Sequence, residues 1–225
     1  MPRKPAAPED LSAKKALALE VIARLKKEYP DAACTLDYDH AWQLLVSVRL
    51  AAQCTDARVN IVVEDLFAKY PSVAALAAAE PEEIEAIVKP CGLGHSKARD
   101  ISACMRMLRD KYDCKVPTTF EELLSLPGVG RKSANLIMGD VFGKPAIVTD
   151  THCIRLCNKI GLVDGIKEPQ KVEKALWKII PPEEGSDLCH RFVMHGRAVC
   201  NARKPECEKC CLRDICRYAR ENAAT

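Results

Sequence analysis

Four cysteines near the end of the chain have the residue type and spacing of metal ligands. Cys200, Cys207, Cys210 and Cys216 are separated by six, two and five residues. Four thiolates in so short a segment can surround one compact metal centre. Zinc is a candidate, although many four-cysteine zinc sites pair two Cys-x2-Cys units and this segment contains one. Cys211 adds an adjacent fifth thiol, which is either a spare or an alternative ligand.

A second motif, the segment Leu126–Gly130, separates two helical patterns and is suited to hold an anion. Gly128 and Gly130 flank one apolar residue, so the backbone can adopt positive φ angles and leave its N–H groups uncovered. The helix that follows directs its unpaired N–H groups at any anion outside, and a phosphate oxygen suits that position. Arg131 and Lys132 fall in its first turn, where cations are disfavoured unless an anion compensates. A simple turn between helices is the alternative for a Gly-x-Gly segment alone.

Composition limits the kind of protein that carries these motifs. The chain has 225 residues, of which 48% are hydrophobic, enough for one large domain or two lobes of about a hundred residues each. Thirteen cysteines would suggest disulfides in a secreted chain, but the start of the chain lacks the apolar region of a signal peptide. No stretch approaches the roughly 20 uncharged residues of a membrane helix. We therefore expect a soluble, cytoplasmic protein whose cysteines are metal ligands and buried thiols.

Charge is distributed unevenly along the chain. Residues 189–225 contain eight Lys and Arg residues against four Asp and Glu residues, whereas residues 71–88 contain four Glu residues and no Lys or Arg. This asymmetry suggests that one face meets phosphate and another faces solvent. The net charge of +3 is too small to prove a nucleic-acid partner, and ordinary solvated helix faces remain an alternative.

The hydrophobic periodicity is helical almost throughout. Ser12, Thr55 and Ser96 are predicted to precede helices, and Pro81 fits the first turn of another. No run of alternating β-branched residues occurs between hairpin turns, so we predict an all-α fold with short loops. The predicted helical patterns contain Leu17, Val21, Ile22 and Leu25; Trp42, Leu45, Val46 and Leu50; Ile61, Val62, Leu66 and Phe67; Ile84 and Ile87; Ile101, Met105 and Leu108; and residues 120–124, 132–141, 151–160, 169–180 and 188–199.

These motifs together resemble one known family. The string LPGVGRKSA, with its hairpin at residues 126–131, resembles the helix-hairpin-helix motif of DNA-repair glycosylases, and the cysteine spacing resembles the [4Fe–4S] loop of the endonuclease III family. The resemblance extends from about Leu19 to Tyr218. It implies a two-lobed helix-hairpin-helix glycosylase fold with a C-terminal [4Fe–4S] cluster loop at residues 200–216. One lobe would contain residues 34–144, and a discontinuous lobe would contain residues 1–33 and 145–225.

The resemblance also assigns a catalytic pair. Lys132 matches the nucleophile position of the family, and Asp150 matches its catalytic aspartate. Breaking an N-glycosidic bond builds positive charge on the sugar, which a carboxylate stabilises. A neutral amine can then attack C1′ and form a Schiff base that permits β-elimination. The positive helix end and partial burial would favour the neutral form of the Lys132 amine, whereas the negative charge of Asp150 would favour the protonated form. Asp150 would itself serve as a proton acceptor or as an N-cap. His152 is left out of the site.

Further DNA contacts follow from the same resemblance. A base must leave the duplex before its sugar is attacked, and protein side chains fill the gap. Gln53 resembles the family's gap-filling glutamine, and Leu93, between two glycines, resembles the apolar wedge on the opposite side. Routine positions at helix ends are the alternative for both. Arg203 and Lys204 lie in the first gap of the cysteine loop, where the family presents basic side chains to the DNA backbone.

The implied function is a bifunctional base-excision enzyme that acts on damaged double-stranded DNA. It would remove oxidised or ring-saturated pyrimidines and cleave the abasic site, as a monomer in the cytoplasm or on the nucleoid. Arg49 and Ala51 depart from the family near the lesion pocket; Arg49 would contact the lesion, contact DNA or point outward. The alternatives are a monofunctional adenine-mismatch glycosylase, whose extra C-terminal domain is not expected here, a non-catalytic DNA-binding protein and an electron carrier.

Overall fold

The computed structural model describes residues 8–222, and these residues form helices, turns and loops without a strand. This confirms the predicted all-α fold. The α-helices of this part of the chain, in order, are α1 (Pro8–Glu28), α2 (Ala41–Leu50), α3 (Asp56–Lys69), α4 (Val73–Ala78), α5 (Pro81–Val88), α6 (Gly94–Lys111), α7 (Phe120–Ser125), α8 (Arg131–Asp140), α9 (Thr151–Ile160), α10 (Pro169–Leu176), α11 (Gly185–Ala198) and α12 (Arg217–Asn222).

The chain divides into two compact units. One is the continuous segment Cys34–Gly143, which contains α2 to α8, and the other contains the described residues on either side of it. Lys144, the last residue of the predicted continuous lobe, falls in the second unit. Both units contain enough apolar side chains to have a buried core of their own.

The unit of residues 34–143 is built on two apolar helix faces. On α6, Ile101, Met105 and Leu108 are buried, and the helix packs against α4 and α5. Trp42 of α2 meets Phe67 of α3 edge to face, with 5.1 Å between ring centroids. Ala134 and Ile137 of α8 are fully buried in this core. The hairpin before α8 is thereby attached to a packed scaffold.

The second unit packs α11 against both α1 and α9. Phe192 of α11, Leu25 of α1 and Leu156 of α9 are fully buried. Arg217, at the start of α12, donates to the Asn158 carbonyl of α9 at 2.8 Å. These contacts fix the chain on both sides of the four cysteines, because the cysteine segment lies between α11 and α12.

Several predicted helix boundaries and faces are wrong. Ser12 lies inside α1, which begins at Pro8, and Ser96 lies inside α6, whose N-cap is Leu93. Ile61 is 64% exposed, because α3 turns Val59, Val62 and Leu66 toward the core at spacings of three and four residues. In contrast, Thr55 caps α3 and Pro81 occupies the first turn of α5, as predicted.

No described helix combines the length and apolar character required to cross a membrane.

Candidate active site and nucleic-acid interface

The segment Leu126–Gly130 forms a tight hairpin between α7 and α8. The Val129 amide donates to the Leu126 carbonyl at 3.1 Å. Gly128 has φ +74°, whereas Gly130 has φ −95°. The prediction of positive φ angles is therefore correct for Gly128 and wrong for Gly130, which any residue could replace on backbone grounds. Both glycines are exposed, so the backbone of the hairpin is accessible.

The N-cap residue of α8 supplies no side-chain hydrogen bond to the first-turn amides. Gly130 is the N-cap and supplies no capping group, whereas the N-caps of α3, α4, α7 and α9 accept hydrogen bonds through their side chains. Uncapped first-turn N–H groups and the helix dipole together form an anion site. The Arg131 guanidinium lies over the Phe120 ring, 4.8 Å from its centroid, which holds one cation beside this end of the helix.

Arg49 supports the hairpin from α2. Its Nε donates to Oδ2 of Asp100 at 2.7 Å, and its Nη2 donates to Oγ of Ser96 at 3.2 Å. A Cβ atom on Gly128 would lie 2.9 Å from Cβ of Asp100 and 3.1 Å from Cδ of Arg49. The outward, solvated interpretation of Arg49 is therefore wrong, because its side chain is only 19% exposed and packs against the hairpin glycine.

Lys132 is the second residue of α8 and its side chain is exposed. The partial burial expected from the sequence is absent. Its position two residues after Gly130 places the amine beside the uncapped helix end. The amine is thus accessible to solvent in the first turn of α8.

Asp150 is the N-cap of α9. Its Oδ1 accepts a hydrogen bond from the Cys153 amide at 2.7 Å, as the sequence suggested, and Oδ2 accepts none from the described residues. The preceding segment is anchored, because the Val148 amide donates to the buried Cys189 sulfur at 3.2 Å. His152, two residues further on, has Nδ1 3.2 Å from Nη2 of Arg155.

Gln53 and Leu93 share an unusual backbone conformation. Gln53 follows α2 with φ 58°, and Leu93 precedes α6 with φ 51°. Both are exposed, Leu93 by 57%, so routine helix-end packing does not explain Leu93. In the described part of the chain, positive φ is found outside glycine at two further residues, Asp113 and Cys114. A left-handed conformation costs non-glycine residues about 1–2 kcal/mol, and such strain is concentrated at functional sites.

A functional candidate that the sequence interpretation missed is Lys97 of α6. It is fully buried, and its Nζ donates to the carbonyls of Leu50 and Cys91 at 2.8 Å each. Its position in the sequence could have indicated this, because Lys97 lies four residues before Ile101 and therefore on the apolar face of α6. A lysine at a core position of an amphipathic helix indicates a specific role.

The predicted metal ligands Cys200, Cys207, Cys210 and Cys216 are near one another. Burial raises the pKa of the Cys210 thiol to about 12, and Cys200 and Cys216 contribute in the same direction. Burial likewise raises the pKa of Cys200, with contributions from Cys216 and Cys207. Among residues 8–222, no three His, Cys, Asp or Glu side chains are arranged as ligands of a single metal ion. The four-cysteine ligand set therefore stays a prediction.

Cys211 differs from the other four thiols of this segment. Burial raises its pKa, followed by an effect of Glu28, and none of Cys200, Cys207 or Cys216 contributes. Its carbonyl accepts a hydrogen bond from Arg24 of α1 at 3.0 Å. These contacts favour a structural role for Cys211 over a ligand role.

The loop of residues 201–206 presents two basic side chains. The Lys204 amide donates to Oδ1 of Asn201 at 2.8 Å, which forms a tight turn. Arg203 and Lys204 are exposed, and neither forms an ion pair within the part of the chain that the structure describes. Lys209, by contrast, pairs with Glu206 at 2.5 Å. Arg203 and Lys204 are therefore the cations of this loop available to a phosphate backbone.

More than half of the chain matches a known protein family. Residues 46–182 match the model of the HhH-GPD superfamily base excision DNA repair proteins. The match contains the hairpin, Lys132 and Asp150. The fold and this match define a base-excision DNA-repair protein of the HhH-GPD superfamily.

Two relatives show which family within this superfamily the chain belongs to. The chain is 44% identical over 207 residues to an endonuclease III of Synechocystis sp., covering 92% of this chain and 94% of the relative. It is 37% identical over 204 residues to the endonuclease III of Escherichia coli K12, covering 91% and 96%. The chain therefore belongs to the endonuclease III family, and the resemblance inferred from the sequence is confirmed.

Solved structures show the same similarity. A non-covalent endonuclease III–DNA complex has a TM-score of 0.88 and 40% identity over 94% of this chain and 99% of that one. A trapped endonuclease III–DNA covalent intermediate has a TM-score of 0.87 and 41% identity over 93% and 98%. Membership of this family confirms the predicted enzyme class: the chain is a base-excision DNA glycosylase with abasic-site lyase activity.

Proposed function

We propose that this chain removes oxidised or ring-saturated pyrimidines from duplex DNA and then cuts the strand through a Schiff base on Lys132. The observation that carries the assignment of Lys132 is its exposed side chain on the second residue of α8. The uncapped amides of the same helix end hold a phosphate of the damaged strand. A nucleophile and a phosphate site on one rigid helix position a sugar without a further conformational step.

The reaction divides into two bond-breaking stages. The neutral amine of Lys132 attacks C1′ as the glycosidic bond breaks, and the base leaves with the bonding electrons and takes up a proton. The ring opens to give a Schiff base between C1′ and Nζ. Loss of a C2′ proton then expels the 3′ phosphate by β-elimination, and water releases the cleaved sugar from Lys132.

Asp150 stabilises the positive charge that develops on the sugar during base release. Oδ1 is occupied by the Cys153 amide, so Oδ2 is the oxygen available to the sugar. A carboxylate held by a helix N-cap bond needs little reorganisation when charge develops, which is the condition for effective electrostatic catalysis. The anchored Val148 segment keeps this oxygen in place.

Gln53 and Leu93 fill the gap that the extruded base leaves. Their left-handed backbones and exposure direct a polar and an apolar side chain away from the helices that carry them. An apolar wedge replaces lost stacking, while an amide can bond to the base that has lost its partner. Saturated pyrimidines are puckered and stack poorly, so they leave the duplex at a lower cost than intact bases.

A [4Fe–4S] cluster fits the four thiols of Cys200, Cys207, Cys210 and Cys216. Each interacts electrostatically with another, and a cationic iron centre relieves the repulsion among thiolates that the apolar surroundings disfavour. When bound, the cluster supplies a covalent clamp on the loop. The clamp fixes the turn at Asn201, so that Arg203 and Lys204 meet the phosphate backbone.

We further propose that the enzyme acts as a monomer on chromosomal DNA in the cytoplasm. Its named relatives are bacterial, and bacterial chromosomes lie in that compartment. A duplex with one damaged base has no two-fold symmetry for a dimer to match. A single chain with one nucleophile is therefore sufficient.

A borohydride trapping experiment tests this function. A duplex with one thymine glycol is incubated with wild type, Lys132→Gln and Lys115→Gln, with and without borohydride. Lys115 is an exposed lysine of the same unit, so its variant controls for loss of surface charge. Wild type and Lys115→Gln should cut the strand and form a trapped adduct, and Lys132→Gln should bind without doing either.

The rival functions give different results in the same experiment. A monofunctional adenine-mismatch glycosylase would leave the thymine glycol duplex uncut and form no adduct; on a second duplex with adenine opposite oxidised guanine it would release the adenine and leave an uncut abasic site. A non-catalytic binding protein would retain DNA and release no base. An adduct that persists in Lys132→Gln, mapped by mass spectrometry to another amine, would overturn the assignment of Lys132.

A further inference from the structure

Lys97 is a cation in the apolar core of residues 34–143. Its side chain has no solvent exposure, and burial lowers its pKa, with Cys54 and Cys91 opposing that effect. An ammonium group without solvent needs hydrogen-bond acceptors at fixed positions. A methionine would fill a similar volume without this desolvation cost, so the packing of the core alone does not require a lysine.

The ammonium group joins two parts of the backbone that are distant in sequence. One acceptor is the carbonyl of Leu50, the last residue of α2, and the other is the carbonyl of Cys91, at the end of a 3-10 turn. Both distances are 2.8 Å. Helix C-terminal carbonyls carry partial negative charge, and a charge-assisted hydrogen bond is roughly twice as strong as a neutral one.

The two acceptors border the two proposed gap-filling residues. Gln53 is three residues after Leu50, and Leu93 is two residues after Cys91. Burial raises the pKa of the Cys91 thiol to about 11, and the nearby Cys54 thiol acts in the same direction, so the two loops lie side by side near Lys97. Residues in strained conformations persist only when their surroundings hold them, and the contacts of Lys97 hold both loops at once.

We propose that Lys97 is a positioning residue that sets the separation of Gln53 and Leu93, and thereby the efficiency with which the enzyme opens a duplex. This inference rests on the proposed function, because it needs Gln53 and Leu93 to enter the DNA. Lys97 itself touches no DNA, since it is fully buried. It acts through the backbone of the two loops.

The test compares a substrate that must be opened with one that is already open. Lys97→Met keeps the side-chain size and removes the donors. On a thymine glycol duplex at saturating enzyme, we expect its rate to fall by about 100-fold, the scale of a small misplacement of groups remote from the chemistry. On single-stranded DNA with a preformed abasic site, where no base is extruded, its cleavage rate should equal that of wild type.

A spectroscopic signal reports the opening step directly. The fluorescence of 2-aminopurine opposite a stable abasic analogue rises when the base loses its stacking partners, and this rise should be smaller with Lys97→Met. The matched control is Arg106→Met. Arg106 also donates to two helix-end carbonyls of this unit, those of Ala77 and Ala79, but these border no proposed DNA contact, so both substrates should be cut at the wild-type rate.

A variant that combines Lys97→Met with substitutions of Gln53 and Leu93 shows whether Lys97 acts through these two residues or through the general stability of the fold. In a Gln53→Ala/Leu93→Ala background, Lys97→Met should cause no further loss on the duplex, because the side chains it positions are gone. If Lys97→Met does not fold, Lys97→Gln retains a donor of shorter reach and should show a smaller loss of the same kind. Equal losses on duplex and single strand, or a full additional loss in the triple variant, would overturn the proposal. A wild-type enzyme that cuts neither substrate would instead refute the proposed function.

Discussion

Arg49 and Asp100 form an ion pair between α2 and α6, with 2.7 Å between Nε and Oδ2, directly against Gly128 of the hairpin. Both side chains are partly buried: 19% of the Arg49 side chain and 33% of the Asp100 side chain is exposed. Since the guanidinium is bound to Asp100 and Ser96, the contacts of Arg49 hold the hairpin of residues 126–131 in position and favour this supporting role over recognition of the lesion.

Arg49→Leu should therefore weaken the binding of all duplexes without changing the order in which lesions are preferred. Loss of a hydrogen bond to a charged partner should also reduce the free energy of unfolding by about 1–3 kcal/mol. Excision rates and affinities for thymine glycol, dihydrouracil and oxidised-guanine duplexes check this. We expect little activity on uracil or on adenine opposite oxidised guanine in either protein.

Asp100→Leu and the Arg49→Leu/Asp100→Leu double variant test whether the effect of Arg49→Leu comes from loss of the ion pair. If the two residues act as a pair, the double variant should be no weaker in DNA binding than the worse single variant. A changed order of lesion preference in Arg49→Leu would place Arg49 at the lesion.

Gly128→Ala and Gly130→Ala form a matched pair within the hairpin. An alanine at position 128 would adopt φ +74° and place Cβ 2.9 Å from Cβ of Asp100, so we expect a loss of stability of about 1–2 kcal/mol from the backbone alone. Gly130 has φ −95°, and no atom lies within 4 Å of an added Cβ there. In thermal unfolding, Gly128→Ala should therefore melt at a lower temperature than Gly130→Ala. Equal destabilisation of the two variants would contradict this account of the hairpin.

Asp150→Asn should slow base release more than strand cleavage at a preformed abasic site. Glycosidic cleavage builds more positive charge on the sugar than elimination does, and loss of one electrostatic group of this kind costs about 100-fold to 1000-fold in rate. Asparagine can retain the N-cap hydrogen bond to Cys153, so the fold should survive. Single-turnover rates on the two substrates measure the difference, and equal losses would favour a shared role such as deprotonation of Lys132.

The purified protein should be yellow-brown and contain about four irons per chain, as a [4Fe–4S] cluster requires. Cys207→Ser should bleach the protein and weaken DNA binding through Arg203 and Lys204. Cys211→Ser should keep the colour, because Cys211 does not interact with the other predicted ligands except its neighbour Cys210. Iron analysis and visible absorption under anaerobic preparation check this, and stoichiometric zinc in a colourless sample would refute the cluster assignment.

The sequence by itself determined the parts of this protein that depend on consecutive residues. The all-α fold followed from helical periodicity, and the hairpin and cysteine segment were visible as compact strings whose chemistry follows from residue type. Thr55 and Asp150 could be predicted as N-caps because a cap bonds to amides two or three residues away. The family was recognisable from the same strings, and the proposed catalytic pair follows from that resemblance.

Tertiary structure decided which residues act together across the sequence. Arg49 and Asp100 are 51 positions apart, and Lys97 and Leu50 are 47 apart, so their pairing depends on how α2 and α6 pack. Tertiary structure also decided which face of α3 is buried, so that Ile61 faces solvent, and that Gly128, unlike Gly130, has a positive φ angle. Local patterns encode helices and caps because those bonds span a few residues, whereas a buried lysine acquires its partners only when distant backbone segments are brought together.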